Sequence, residues 1–155
     1  MKYLFGLLLL VFSFSSCAQC NIELGIPADF EMVEQTDSSM VFKSGQEEIF
    51  IMMKSEVAAD YSFEEEAAGT LVELQKSDFY ADPKLTKKEL NGKEYNIIRT
   101  VVNDPELKDV NDYFNLGYLQ VCNYVYSFTF MAANKNTVLH DATFERILSK
   151  TDYVD

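Results

Sequence analysis

Histidine is nearly absent from this chain, and its scarcity closes off several chemistries at once. His140 is the only one. Nucleophilic catalysis needs a base beside a hydroxyl or thiol and a third group to orient that base. No Gly-x-Ser-x-Gly turn is present to hold a serine nucleophile. With one histidine and three cysteines, no Cys/His set exists for zinc. The glycines form no phosphate-cradling loop. Carboxylates are so abundant, 25 in all, that no particular pair can be nominated for glycoside hydrolysis by number alone. The expectation is a chain without catalytic residues or cofactors, with His140 a surface or helix-end residue of the last helix.

Positive charge is also scarce. Thirteen Lys and Arg stand against the 25 acids, giving a net charge of −12. Nucleic-acid binding draws on clustered cations, so nucleic acid and anionic membrane surfaces are poor partners. The same acidity also serves solubility alone.

Long apolar runs are confined to the N-terminus. After Met1-Lys2, the stretch Leu4 to Phe14 is about 11 residues of nearly unbroken apolar side chains, followed by Ser15, Ser16, Cys17 and Ala18. That run falls short of the ~20 residues of a membrane-spanning helix and has the build of a signal peptide, residues 1–18. Two processing routes are open. Ser16 and Ala18 suit cleavage before Gln19, whereas Ser15-Ser16-Cys17 resembles a lipobox in which Cys17 is lipidated, with Phe14 where Leu or Val is usual. The first route releases a soluble domain, and the second anchors it through buried methylenes. Either way the protein is exported, to the periplasm, cell envelope or exterior, and touches membrane only through such an anchor. About 137 residues remain, the size of one domain, with a short tail at 19–25 before a single unit at 26–151.

Removing or lipidating Cys17 leaves Cys20 and Cys122. In an oxidising compartment an even remainder points to a disulfide, set against the alternative of a buried strand cysteine and a loose tail cysteine. The bridge would pin the N-terminus to a hairpin and close a loop of about 100 residues, worth up to ~4–5 kcal/mol in chain entropy.

Along the remaining chain, period-two alternation predicts strands at Asp29–Glu34, Met40–Phe42 and Glu48–Lys54. The last is so continuously apolar that it reads as covered on both faces. Ser62 and Glu65 fit a capping box, Glu64–Glu66 suit the positive end of a helix dipole, and Phe63, Ala67, Leu71 and Leu74 share one face of a helix running to Lys76. Leu85–Leu90 and Lys93–Val102 flank Asn91-Gly92, a strong hairpin signal. Val110–Val121 and Tyr124–Met131 form a second hairpin, with Tyr124, Tyr126, Phe128 and Phe130 on one face. Such an aromatic row serves a core more often than a ligand groove. A helix from Thr137 to Ser149 buries Leu139, Thr143, Phe144, Ile147 and Leu148. Between the hairpins, Asp104, Glu106, Asp109 and Asp112 offer oxygen ligands for a hard cation, but they lack the spacing and turn glycine of a calcium loop. A solvated acidic loop is the plainer reading. Strands joined by hairpins with two helices argue an α+β fold on an antiparallel sheet.

Ile26-Pro27-x-x-Phe30 entering a strand, the Asn91-Gly92 hairpin, and Tyr126-Ser127-Phe128-Thr129-Phe130 followed by Phe144-Glu145-Arg146-Ile147-Leu148-Ser149 together resemble the PsbP-like and DcrB-like domains over residues 26–150. The resemblance implies an antiparallel sheet of about six strands covered by two main helices, an α/β/α sandwich, and members that mostly bind other proteins or sit in the envelope without known activity. It transfers no functional residue. The function expected is a monomeric, non-enzymatic envelope or secreted module that binds an envelope or extracellular protein. The alternative is a small-ligand or cation-binding envelope protein, using a groove beside the aromatic strand or the acidic loop.

Overall fold

A computed structural model of the chain describes residues 20–45, 47–102, 113–133 and 137–154. Its elements are β1 (Asn21–Glu23), β2 (Phe30–Gln35), β3 (Ser39–Ser44), β4 (Ile49–Glu56), α1 (Phe63–Lys76), β5 (Tyr80–Leu90), β6 (Lys93–Val102), β7 (Tyr113–Val121), β8 (Tyr124–Ala132), α2 (Thr137–Ser149) and β9 (Asp152–Val154). Seven strands form one antiparallel sheet in the order β2-β3-β4-β8-β7-β6-β5, while β1 and β9 pair in a separate two-stranded sheet. The sheet therefore has seven strands rather than about six. No helix among the described residues is long and apolar enough to cross a membrane.

Strand register sorts the side chains into two layers, because residues paired across neighbouring strands point to the same face. Phe42, Phe50, Phe130 and Asn115 form one cross-strand row, and Met40, Met52, Phe128 and Gly117 form the next. These rows meet Phe144, Ile147 and Leu148 of α2 in the main core. The aromatic face of β8 is thus core, as its spacing indicates. On the opposite face, Ile98, Leu116 and Tyr118 pack with Ala67 and Leu74 of α1, supported by Phe63 and Leu71. The helices lie on the two faces of the sheet, which makes the sandwich.

Local chemistry sets the element ends. The Ser62 hydroxyl accepts the Glu65 N–H (3.3 Å) and donates to Glu64 (3.3 Å), so the cap forms with Glu64 as its carboxylate. Asn91 and Gly92 hold φ of 50° and 70°, as a type I′ hairpin requires. β5 begins at Tyr80, earlier than expected, and runs through Pro83 because the pairing with β6 shifts register between Ala81 and Lys84. A bulge is where a strand tolerates proline.

Three expectations need correction. β4 is interior to the sheet but covered on one face only: Met53 is 51% exposed, and Ile49 and Ile51 are half-buried. In α2, Leu139 is 46% exposed while His140 is 1% exposed. The buried stripe of α2 is therefore His140, Thr143, Phe144, Ile147 and Leu148, and the histidine is not a surface residue. Finally, the segment read as a plain N-terminal tail contains β1.

That N-terminal segment is held at several points. Cys20 and Cys122 form a disulfide across a separation of 102 residues, tying β1 to the β7–β8 turn. Tyr126 donates its hydroxyl to the Cys20 carbonyl (2.9 Å). Gly25 crosses the end of α2 so closely that a Cβ there would lie 2.1 Å from the Lys150 Cβ, a space only glycine can share. β9 is fixed in turn by buried Lys93, whose Nζ reaches Asp152 (3.1 Å) and sits over the Tyr153 ring.

Candidate functional site

The densest polar chemistry lies between α2 and the sheet. Asp141 and Glu145, one helical turn apart, both face β6. Arg99 reaches Asp141 through Nε (2.7 Å), Glu145 through Nη2 (2.5 Å) and Thr86 through Nη1 (3.0 Å). Lys88 takes the other oxygen of Glu145 (2.5 Å). Asp141 also accepts from the Tyr113 hydroxyl (2.5 Å) and from the Asn115 amide (3.2 Å), which in addition touches the Tyr113 oxygen. Burial by itself would raise the Asp141 carboxyl, but the bonds from Tyr113, Asn115 and Arg99 outweigh it and hold the group below the usual carboxylate range. Burial, then the adjoining Asp141 carboxylate, pushes the Tyr113 phenol well above its ordinary value.

Deeper in the same layer, Glu48 accepts from Ser44 (3.1 Å) and pairs with His140 Nδ1 (3.2 Å). The His140 ring packs against Tyr113 and Phe130. A carboxylate that orients a histidine has the outline of two members of a triad. Here, however, both side chains are at most 4% exposed, so no substrate meets that ring without α2 moving. The arrangement fastens α2 to the sheet by charge-assisted bonds. Sequence reasoning missed it, although Asp141 and Glu145 at i, i+4 beside His140 were a visible signal.

Two apolar surfaces lie elsewhere. α1 covers β5, β6 and β7. Its face of the sheet continues through the row Ile98, Leu116, Thr129, Ile51 and Val41, and through Met131 paired with Ile49. Val41, Ile49, Ile51 and Met131 are only half-buried and Met53 is exposed, leaving a methionine-edged apolar strip beyond α1. On the other face, Ile22, Leu24, Ile26 and Val154 of the N- and C-terminal segments face Met32, Met40 and Phe42 across a groove of about 460 Å³. A second hollow, of about 660 Å³, lies along α1 among Asp60, Glu65, Glu66 and Glu73.

Of the residues singled out from sequence, Cys20 and Cys122 are joined. Cys17 and the acidic set Asp104, Glu106, Asp109 and Asp112 lie outside the described residues. Among the described residues, no group of His, Cys, Asp and Glu could hold a metal ion.

The two-faced sheet with its flanking helices is the PsbP-like fold. Solved structures sharing it include cyanobacterial PsbP (CyanoP) from Synechocystis, with TM-score 0.59 and 12% identity, covering 93% of this chain and 99% of that one. LpqN, involved in cell envelope biogenesis of Mycobacterium tuberculosis, aligns with TM-score 0.62 and 11% identity over 92% of this chain and 88% of its own. The Saccharomyces cerevisiae Ran-binding protein Mog1p gives 0.55 and 9% identity, over 86% and 90%. No family model matches the sequence, and no curated protein matches it. At these identities the likeness is one of fold.

Proposed function

We propose that this chain is an exported, non-catalytic protein-interaction module of the cell envelope or exterior, using the strip beyond α1 as its contact face. The observation that carries the reading is that strip: Val41, Ile49, Ile51, Met53 and Met131 lie side by side on a face whose other half α1 covers. Adjacent apolar side chains left partly exposed on a sheet face favour a protein partner, and methionines adapt to an irregular one. Export is supported by the signal-like N-terminus and by the Cys20–Cys122 disulfide, since such bonds persist in oxidising compartments. Structures of this fold include one protein involved in envelope biogenesis and one that binds Ran, which is consistent with a binding role. The N-terminus is either lipidated at Cys17 or cut before Gln19.

The test is a photoreactive residue at Met53 in the exported protein. A discrete adduct that Ile51→Glu removes, and that a probe at exposed Arg146 on the far side does not reproduce, supports the reading. Diffuse adducts indifferent to both controls count against it. A second reading, an apolar small-ligand site, is favoured by the groove at Ile22, Met40 and Phe42.

A further inference from the structure

We propose that the groove between the N-terminal segment and the β2–β3 edge holds one acyl chain of the lipid carried on this protein's own Cys17. The inference rests on the lipidation route of the reading above and adds a destination for the lipid.

The groove selects an apolar occupant. Its walls are Ile22, Leu24, Ile26, Met32, Met40 and Phe42, and its one charged member, Glu23, is exposed. A polar ligand would lose water there and gain no partner. Its volume, about 460 Å³, falls in the range of small-ligand sites, about 300–1,000 Å³. Residues 22, 24 and 26 border it along one stretch of backbone spanning up to about 13 Å, which suits a linear chain. Strand addition by a peptide is opposed by the adjoining edge, where β2 presents Glu31 and Glu34 and shifts register.

The length of chain before the groove points to the source. Cys20 is fixed by its disulfide and by Tyr126, and Ile22, the first groove wall, follows two residues later. Cys17 precedes Cys20 by three residues, a reach of about 10 Å. A chain attached there meets the groove at the high effective concentration of a tethered ligand, whereas a bilayer lipid must first leave its membrane. Lipidation places more than one chain on a cysteine, so one in the groove leaves another for the membrane.

The experiment compares the full lipidated protein with an exported Cys17→Ala form, using dansyl-undecanoic acid as the fluorescent probe. The expected result is saturable one-to-one binding to C17A, with saturated C8 to C12 carboxylic acids competing about fourfold more tightly per added methylene. The lipidated protein, its groove filled, should bind the probe at least tenfold more weakly. Met40→Arg in the C17A form should abolish binding, and Met32→Lys, at a half-exposed wall position, should weaken it in a protein of unchanged melting temperature. No binding by C17A, or binding unaffected by both wall variants, overturns the site. Equal binding by both forms overturns the source and assigns the groove to free lipid. An intact mass without acyl groups on Cys17 defeats the lipidation route itself, and with it the Cys17 source, whatever the probe does.

Discussion

Asp141 concentrates at one carboxylate the interactions that hold α2 in place. Its pKa is depressed by Tyr113, Asn115 and Arg99 against the opposing effect of burial, so its contribution is present above the unfolded value near pH 4 and is lost as pH falls through the lower folded value. Asp141→Asn should therefore lower stability at pH 7, by about 1–2 kcal/mol after allowing for solvent screening at this partly exposed site. The gap between wild type and variant should close below about pH 4, and urea titrations across that range check both statements. A gap independent of pH would mean that the carboxylate charge does not matter. At this scale His140 was misread for a physical reason. A helix's buried stripe is about 100° wide, and which edge turns inward depends on the packing angle. Exchanging Leu139 for His140 takes only one residue's rotation.

Elements show the same limit in a different form. Both helices, the two hairpin turns and the aromatic strand were legible from periodicity and capping, because each rests on contacts within a few residues. β1 and β9 were not, since three-residue strands have no period of their own and exist only because residues 21–23 meet residues 152–154. The disulfide holds that meeting in place. Replacing Cys20 and Cys122 by serine should cost up to ~4–5 kcal/mol on chain-entropy grounds. Amide exchange should rise first in β1 and β9 while α1 stays protected, and uniform loss of protection would show that the strap is not a separate unit. Gly25→Ala should loosen the same strands by about 1–3 kcal/mol, because its Cβ would overlap Lys150; hydrogen exchange and thermal melts report it. Ser62→Ala should cost about 1 kcal/mol through the lost cap of α1, seen as a lower urea midpoint.

At the scale of the whole molecule, the central question is which surface the fold leaves open. Among the described residues α1 covers β5, β6 and β7 only, so the rest of that face is left to Val41, Ile49, Ile51, Met53 and Met131. Met53→Lys should change stability by less than about 0.5 kcal/mol, because that side chain is already half in water. It should nonetheless abolish partner crosslinking from a probe at Met131, at the other end of the strip where it pairs with Ile49. Loss of crosslinking together with a collapsed melting temperature would instead mark Met53 as structural. The continuous apolarity of β4 had read as burial on both faces, which is the inference a strand permits when its neighbours are unknown. One face turns to α2 and the other to the open strip.

What the sequence determined by itself was local or compositional: an apolar N-terminal run, an excess of acidic over basic side chains, a pair of cysteines that the structure joins, two helices, and hairpins enough for an antiparallel α+β sheet. Each depends on spacing within a few residues or on composition, and both are preserved in a linear text. The tertiary structure alone decided that Glu48 meets His140, that Arg99 bridges Asp141 and Glu145, that the chain's ends pair, and that an apolar groove and an open sheet face remain. The polar contacts and the pairing of the ends join residues 42 to 133 positions apart, and the groove and the open face depend on strand order and helix placement, which no local pattern encodes.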